Sequence, residues 1–337
     1  MMRVQRLARR CDMSDTTKPK RYRMISAFYK ERYGEKAYKI PVALPLTCPN
    51  RDGSAGVGGC TFCGEIGAGY ENRPASMTVK QQIDETVVHI AKKYKAYKYI
   101  PYFQNFSNTY LPPEKFRHYV EEACLEHVVG IAIATRPDCV HDAYLDILKD
   151  IQNKYGIDIY VELGLQSVNY HTLQKVNRGH TMAEFIDAVL RIKRYGFEVC
   201  AHMILNLPWD TMNDVIEGAK TLSALQVDQV KLHALYLVKN TKMARDYEAG
   251  EFTLISAEEY ARRVVEFLRY LDPKIVLQRL VGRAPEENTI FTNWSMGWWR
   301  VQDLIDDMMD ELDAHQGDLC DYLNGKAVRK FIDGGQV

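Results

Sequence analysis

Three cysteines, Cys48, Cys60 and Cys63, lie on one glycine-rich stretch, TCPNRDGSAGVGGCTFCGEIGAGYENRP, at the spacing C-x11-C-x2-C. Thiolates at such spacing bind soft metals or iron–sulfur clusters. Structural zinc wants four closed ligands, usually as two close pairs, and here there is one pair and one distant partner. A dithiol redox pair leaves Cys48 without a role. A cubane cluster held by three thiolates leaves one iron open, and an open metal position is what catalysis needs. Glycines suit that use, because backbone N–H groups then approach a polyanionic cluster closely and positive φ is tolerated. The bland alternative is a surface loop with incidental cysteines. The remaining cysteines have structural readings: Cys124 on an apolar helix face, Cys200 within a strand, Cys11 and Cys320 near the termini, and Cys139 after a strand.

Such a loop needs a frame to aim it. Apolar periodicity alternates between strand and helix type along the chain. YKIPVAL is a short first strand, with Pro41 and Pro45 expected to break its regularity. Thr78-x-x-Gln81 is a capping box ahead of Val79, Ile83, Val87, Ile90, Ala91 and Tyr94 at helical spacing. KYIPYFQ is a second strand, followed by a helix with Phe116, Tyr119, Val120, Ala123 and Cys124 on one face. VVGIAIAT is a continuous apolar run, as a strand buried on both faces requires. Leu145, Leu148 and Ile151 mark the next helix and IDIYVELGL a fourth strand. Thr181-x-x-Glu184 caps a helix that turns Phe185, Ala188, Val189 and Ile192 inward. FEVCAHMIL and VDQVKLHAL are the fifth and sixth strands, with a helix near 212–225 between them.

Strand–helix alternation implies a parallel sheet with right-handed crossovers. A doubly wound sheet and a barrel both satisfy it. Polar residues gather where strands end: Gln104 and Asn105, Thr135 and Arg136, Glu162 and Gln166, His202 and Asn206, Lys231 and His233. Function at the C-terminal ends of successive strands is the habit of barrels. The expected fold class is therefore α/β: a partial, open (β/α)6 TIM-like barrel with a C-terminal α/β extension. The expected division is a basic arm over 1–22, the barrel over 23–250, and an extension over 251–337 packed on it. In the extension, Ser256-x-x-Glu259 starts a helix and KIVLQRLV is a candidate further strand. Residues 301–312 form an amphipathic helix with Val301, Leu304, Ile305, Met308, Met309 and Leu312 inward. Its face of Asp303, Asp306, Asp307, Asp310 and Glu311 reads as solvated.

Composition excludes some classes. The chain has 337 residues, 46% of them apolar and 26% charged, as ordinary globular proteins do. No apolar run reaches the roughly 18 residues of a membrane span, and the first residues have no apolar signal core. A cytoplasmic location and no membrane partner are expected. Net charge is zero but uneven: residues 1–23 hold eight Lys or Arg against Asp12 and Asp15, so the rest carries −6. A basic arm can touch nucleic acid, whereas an acidic body argues against a large RNA surface.

At this point the residues resemble a family. The cysteine loop after a first strand, on this alternation, is similar to the radical S-adenosylmethionine (SAM) superfamily. The long first spacing departs from the superfamily's commonest C-x3-C-x2-C and resembles the branch that includes the Elongator catalytic subunit. YFQNFSNTY, ATRPD, VELGLQSVNYHTLQKVNRGHT and KLHALYLVKNTKMARDYEAGEF match that branch in order. LQRLVGRAP resembles a strand of a small bacterial subgroup without an acetyltransferase domain. The resemblance runs from Tyr22 to the last helix. It implies a [4Fe-4S] cluster on Cys48, Cys60 and Cys63, with SAM chelating the open iron. It implies Gln104, Asn105 and Ser107 near the methionyl amine, and Gln166 and Arg178 toward the SAM ribose or carboxylate. A guanidinium fork suits a carboxylate. Phe62 would pack on adenine, and Thr135, Glu162 and His202 complete the expected SAM-binding set. Glu162 is a carboxylate within a buried strand, which is costly unless used.

One turn departs from the branch. Where a small, acidic G-L-P-G-E-like turn is expected under adenine, this chain reads HMILNLPWDT, and Trp209 takes positive φ only at a cost. NTIFTNWSMGWWR places Trp294, Trp298 and Trp299 within six residues, either to stack on a planar ligand or to dock the last helix. The substrate candidates are Asn108, Asn206, Lys231, His233, Arg279 and Trp294. The resemblance implies hydrogen abstraction from a small, modified nucleobase, foremost C–N cleavage of free queuine with release of a 7-deazaguanine base. It also implies an external one-electron donor such as flavodoxin or ferredoxin. Modification of tRNA in place, and a non-catalytic iron–sulfur or zinc protein, are the alternatives.

Overall fold

A computed structural model describes residues 20–65, 67, 72–282 and 287–332. Most of the basic arm, and the end of LQRLVGRAP, lie outside them. The first helix, α1 (Ile25–Tyr33), leads into β1 (Ala37–Val42). After the cysteine loop come α2 (Val79–Tyr94), β2 (Lys98–Phe103), α3 (Pro113–Glu122), β3 (Gly130–Thr135), α4 (Asp142–Tyr155) and β4 (Asp158–Gln166). Then follow α5 (Tyr170–Lys175), α6 (Met182–Arg194), β5 (Glu198–Ile204), α7 (Met212–Ala224) and β6 (Gln229–His233). The remainder holds β7 (Leu237–Val238), α8 (Lys242–Glu248), α9 (Ala257–Tyr270), β8 (Val276–Arg279), β9 (Thr289–Phe291) and α10 (Trp298–Glu311).

The main sheet has seven strands in the order β1-β2-β3-β4-β5-β6-β8, every neighbour parallel. It is the curled half-barrel that the alternation predicts, with β8 as a seventh strand beside β6. A small antiparallel pair, β7 with β9, lies apart from it. β1 runs unbroken through Pro41, which aligns with Tyr102. The expected irregularity is absent because β1 is an edge strand, where a missing N–H leaves no ladder bond unmade.

The capping boxes at Thr78 and Thr181 form as their sequences require. The helices turn their apolar faces to the convex side of the sheet, where Ile83, Phe116, Leu148, Phe185, Leu222 and Phe267 join one core. The concave side differs. At the N-terminal ends of the strands α1 acts as a plug: Tyr29 packs with Ile100, Tyr102, Ala132, Ala134 and Tyr160. Arg32 ties α1 to Asp158 and Glu198, the first residues of β4 and β5. The barrel interior is thus closed at that end and opens at the other, beside the cysteine loop.

The face of α10 is only partly solvated. Val301, Ile305 and Met309 are buried, but Leu312 is 58% exposed, because the helix ends at Glu311 and Leu312 caps it outside the packed stripe. Lys20 and Tyr22 bond Asp306, and Arg21 bonds Asp310 and Asp313. Acidic residues that read as facing water hold the segment ahead of α1 instead.

Candidate functional site

The cysteine loop is pinned by backbone and side-chain bonds. The Thr61 N–H donates to Val176 O at 3.0 Å, and the Met243 N–H donates to Thr61 O at 3.0 Å. The pair Cys60 and Cys63 is therefore clamped between the end of α5 and the start of α8. Asn50, fully buried, donates from Nδ2 to Asn177 O at 2.6 Å and faces Cys60 Sγ at 3.7 Å.

Cys48, Cys60 and Cys63 all line one cavity of about 210 Å³ inside the half-barrel. Cations face the sulfurs: Arg178 Nη1 lies 3.4 Å from Cys60 Sγ and Arg51 Nη2 lies 3.2 Å from Cys63 Sγ. Burial and the neighbouring Cys60 raise the Cys63 thiol, while Arg51 opposes them. Among the described residues, the one group of three His, Cys, Asp or Glu donors within 4.8 Å of one another is Glu162, Cys200 and His202. The three loop sulfurs do not all lie within 4.8 Å of one another. Two buried atoms beside them, Asn50 Oδ1 and Arg178 Nε, lack any partner. Three converging thiols, cations and unfilled polar valences fit a cluster with an anionic ligand upon it.

The opposite wall of the cavity comes from the concave faces of β2 to β6 and β8. Gln104, Thr135, Glu162, Gln166, His202, Lys231, His233 and Arg279 all line it, with Phe62, Tyr102, Phe106 and Tyr236 as its aromatic surfaces. Gly164 gives the required close approach: a Cβ there would lie 2.6 Å from Arg178 Nη2, which instead bonds Gly164 O at 2.6 Å. Gln166 follows with φ of 78°, a left-handed conformation uncommon outside glycine, where the β4–β5 register shifts. Strain of this sort is kept where surroundings over-determine it, often at sites.

A charged network forms the floor. Glu162, wholly buried, accepts from His202 Nε2 at 2.7 Å, Lys231 Nζ at 3.2 Å, Gln278 Nε2 at 3.0 Å, and Lys39 Nζ. Burial alone would raise its pKa, but Lys231, Lys39 and His202 together hold it well below the ordinary range. Burial lowers Lys231 to about 8, with Glu162 pulling back. Burial likewise takes His202 down to about 4, and burial then Arg279 take His233 well below its usual value. Both imidazoles are neutral at pH 7. Arg279 Nη2 lies 2.8 Å from His233 Nδ1, which as an acceptor must then carry its proton on Nε2. Lys231 also donates to the Tyr102 hydroxyl at 3.1 Å.

Several expected site residues fall elsewhere. Asn105 holds Leu44 through paired backbone bonds, and Ser107 bonds the Thr135 hydroxyl, so both shape the wall from behind. Asn108 Nδ2 is spent on the carbonyls of Phe103, Asn105 and Ala134. Asn206 accepts from the Leu235 N–H at 2.6 Å. Trp294 packs on Tyr260 and Phe291, with its Nε1–H on Ile255 O. None of these five lines the cavity. Trp209 does not take positive φ: it packs edge-on to Phe252 beneath Lys175, so the turn forms without a left-handed residue there.

Sequence reasoning missed Asn50 and Arg51 in the loop, and Lys39, Tyr102 and Gln278 on the strands. The strand residues carry a signal: each is a polar or hydroxyl-bearing residue on the concave side of an otherwise apolar run. Arg136, noted as a strand-end residue, is buried against Asp138 and donates to Arg178 O, fixing the backbone that presents Arg178.

A half-barrel with three thiols at its open end is a recognisable class, and the comparisons agree. Residues 49–222 match the radical SAM superfamily and residues 227–311 match the radical SAM C-terminal domain. The chain belongs to the radical SAM superfamily, whose enzymes use a [4Fe-4S] cluster and SAM. Within it the chain is similar to the Elongator branch. It is 28% identical over 164 residues to Elongator complex protein 3 of Saccharomyces cerevisiae, covering 48% of this chain and 28% of that one. Its fold matches the archaeal Methanocaldococcus infernus Elp3 with a TM-score of 0.64, at 16% identity, over 83% of this chain and 64% of that one. Over 299 residues it is 34% identical to the uncharacterised protein YtqA of Bacillus subtilis, covering 88% of this chain and 92% of that one. No described helix is long and apolar enough to cross a membrane.

Proposed function

We propose that this protein abstracts hydrogen from a small substrate held on the floor formed by Tyr102, His202, Lys231, His233 and Arg279. When bound, the cluster and SAM supply a 5′-deoxyadenosyl radical. Cys48, Cys60 and Cys63 hold the cluster, Arg178 receives the SAM carboxylate, and Gln104 and Gln166 position the rest of it. The barrel wall and the α1 plug keep water from the radical. The observation that carries the reading is the one cavity shared by the three thiols and a floor of neutral imidazoles and fixed donors. Such a floor reads the edge of a planar ring by hydrogen bonds, and Tyr102, Phe106 and Tyr236 offer faces against it.

The finer proposal is a modified nucleobase, with queuine first: C–N cleavage would release a 7-deazaguanine base. Anaerobic reconstitution with iron and sulfide, then incubation with SAM and dithionite, should yield 5′-deoxyadenosine. Free queuine, and separately tRNA containing it, should be supplied in parallel and products resolved by mass. Deoxyadenosine with no change in either supplied molecule would discard queuine and keep the radical chemistry. Absence of deoxyadenosine from a fully loaded protein would discard the enzyme reading.

A further inference from the structure

The cysteine loop has a second side. Gly59, Cys60 and Cys63 line the substrate cavity and also a separate groove of about 710 Å³. That groove is walled by the end of α5, the segment after β7 and the start of α8, and no residue of the floor network lines it. Its cations are Lys175, Lys239, Lys242 and Arg245, against Glu65 as the one carboxylate among the described lining residues.

Three of these cations have no carboxylate partner among the described residues. Lys175 Nζ sits 5.0 Å from the Trp209 ring centroid. Lys239 Nζ donates to Glu287 O at 2.9 Å, and Arg245 Nη1 donates to Asn240 O at 3.0 Å. Lys242 pairs with Asp246 one helical turn on, at 2.5 Å. Lys175, Lys239 and Arg245 are exposed. They stand on a body that is otherwise acidic, since residues 24–337 carry −6. A basic patch on a body of net negative charge steers an acidic partner toward it.

We infer that this groove docks an acidic one-electron carrier protein, and that Lys175, Lys239 and Arg245 are its recognition residues. The inference rests on the family's cluster and is independent of which substrate is bound. The chemistry is an outer-sphere step: one electron leaves the carrier, which is oxidised, and enters the cluster, which is reduced. No bond forms or breaks and no proton is required. Position favours a carrier over RNA, the other polyanion a basic groove attracts. Cys60 and Cys63 line the groove, so a carrier seated there lies beside two of the cluster's ligands. A base to be modified must instead reach the separate cavity lined by the floor network.

The test uses the full reconstituted chain and prereduced flavodoxin, an acidic carrier. Cluster reduction is followed by absorbance and by electron paramagnetic resonance, without substrate. The second-order rate should be high at low salt and fall steeply as salt rises. Combined Lys175→Glu, Lys239→Glu and Arg245→Glu should lower it at least about tenfold and flatten the salt dependence. Reduction by dithionite, which needs no docking, should be unchanged. Should the triple reversal lose its cluster, Lys239→Glu and Arg245→Gln singly carry the same comparison, each with a two- to threefold loss expected. An unchanged flavodoxin rate in variants that keep their cluster overturns the inference. So does loss of tRNA binding with the flavodoxin rate intact, which would assign the groove to RNA.

Discussion

Glu162→Gln removes one charge from the floor and almost no volume, so its effect isolates electrostatics. The native carboxylate is wholly buried and takes four donors, two of them ammonium groups. In the variant the amide oxygen still accepts from His202, but Lys39 and Lys231 lose their counter-charge and face an N–H₂ group. Removing one partner of a buried ion pair costs about 3–5 kcal/mol, because the cations left behind stay desolvated. For a chain of this size, at a few degrees per kcal/mol, melting should fall by roughly 10 °C. Urea denaturation of the metal-free chain, followed by far-ultraviolet circular dichroism, reads the change as a lower midpoint with an unaltered slope. Lys231→Met on the same background should recover part of the loss, with a coupling of about 1–3 kcal/mol. A cost under about 1 kcal/mol, the value of an exposed pair, would refute the reasoning and show the network to be hydrated. An additive double variant would refute it equally.

Cys60→Ala should abolish both cluster loading and SAM cleavage, read as iron content and deoxyadenosine yield. Cys124→Ala, whose thiol is half-buried and bonds Val120 O, should cost about 1 kcal/mol of stability and leave iron content unchanged. His202 has a folded pKa near 4 against an ordinary 6.5, so the unfolded chain binds the extra proton between those values. Its contribution is therefore fully present above about pH 6.5 and is lost toward pH 4, about 3 kcal/mol in all. His202→Asn should flatten that part of a stability–pH curve, leaving the slope contributed by His180, lowered to about 2 by burial, then Arg178 and Arg136, and by His233, lowered by burial, then Arg279. Trp294→Ala should cost about 2–4 kcal/mol by urea denaturation and leave activity per folded molecule intact, since the ring packs on Tyr260 and Phe291.

The frame was legible because its signals are local. Capping boxes at Thr78 and Thr181 fix helix starts through neighbours three residues away, and a short all-apolar run such as that before Thr135 suits a strand covered on both faces. The cysteine loop was legible for a related reason: thiols at short spacing have few uses. Residues whose role depends on distant partners were not legible. Lys39 is an ordinary surface-type residue until Glu162, 123 positions later, faces it. Asp306 and Asp310 read as solvent-facing because Lys20, Arg21 and Tyr22 lie some 290 residues away in sequence. Asn108 and Asn206 look like ligand-binding amides from sequence, and the fold uses both to hold turns. Trp209 shows the converse case, in which an apparent steric conflict vanishes because the turn takes another path.

The segment ahead of α1 reaches across the molecule to its other end. The Leu277 N–H donates to Arg23 O at 2.8 Å, the Gln316 N–H to Arg21 O at 3.0 Å, and Gln316 Oε1 accepts from the Arg23 N–H. A nascent chain leaving the ribosome therefore lacks the partner of Arg23 O until residue 277 has emerged, and the partners of Arg21 O and the Arg23 N–H until residue 316 has emerged. Strand β6 keeps a bare edge, and Glu162 lacks Gln278, until β8 has followed. Early strands can pair as they appear, but the cavity they line is completed only when β8 brings Arg279. A chaperone that shields open sheet edges would guard the β6 edge on this chain between the emergence of β6 and that of β8.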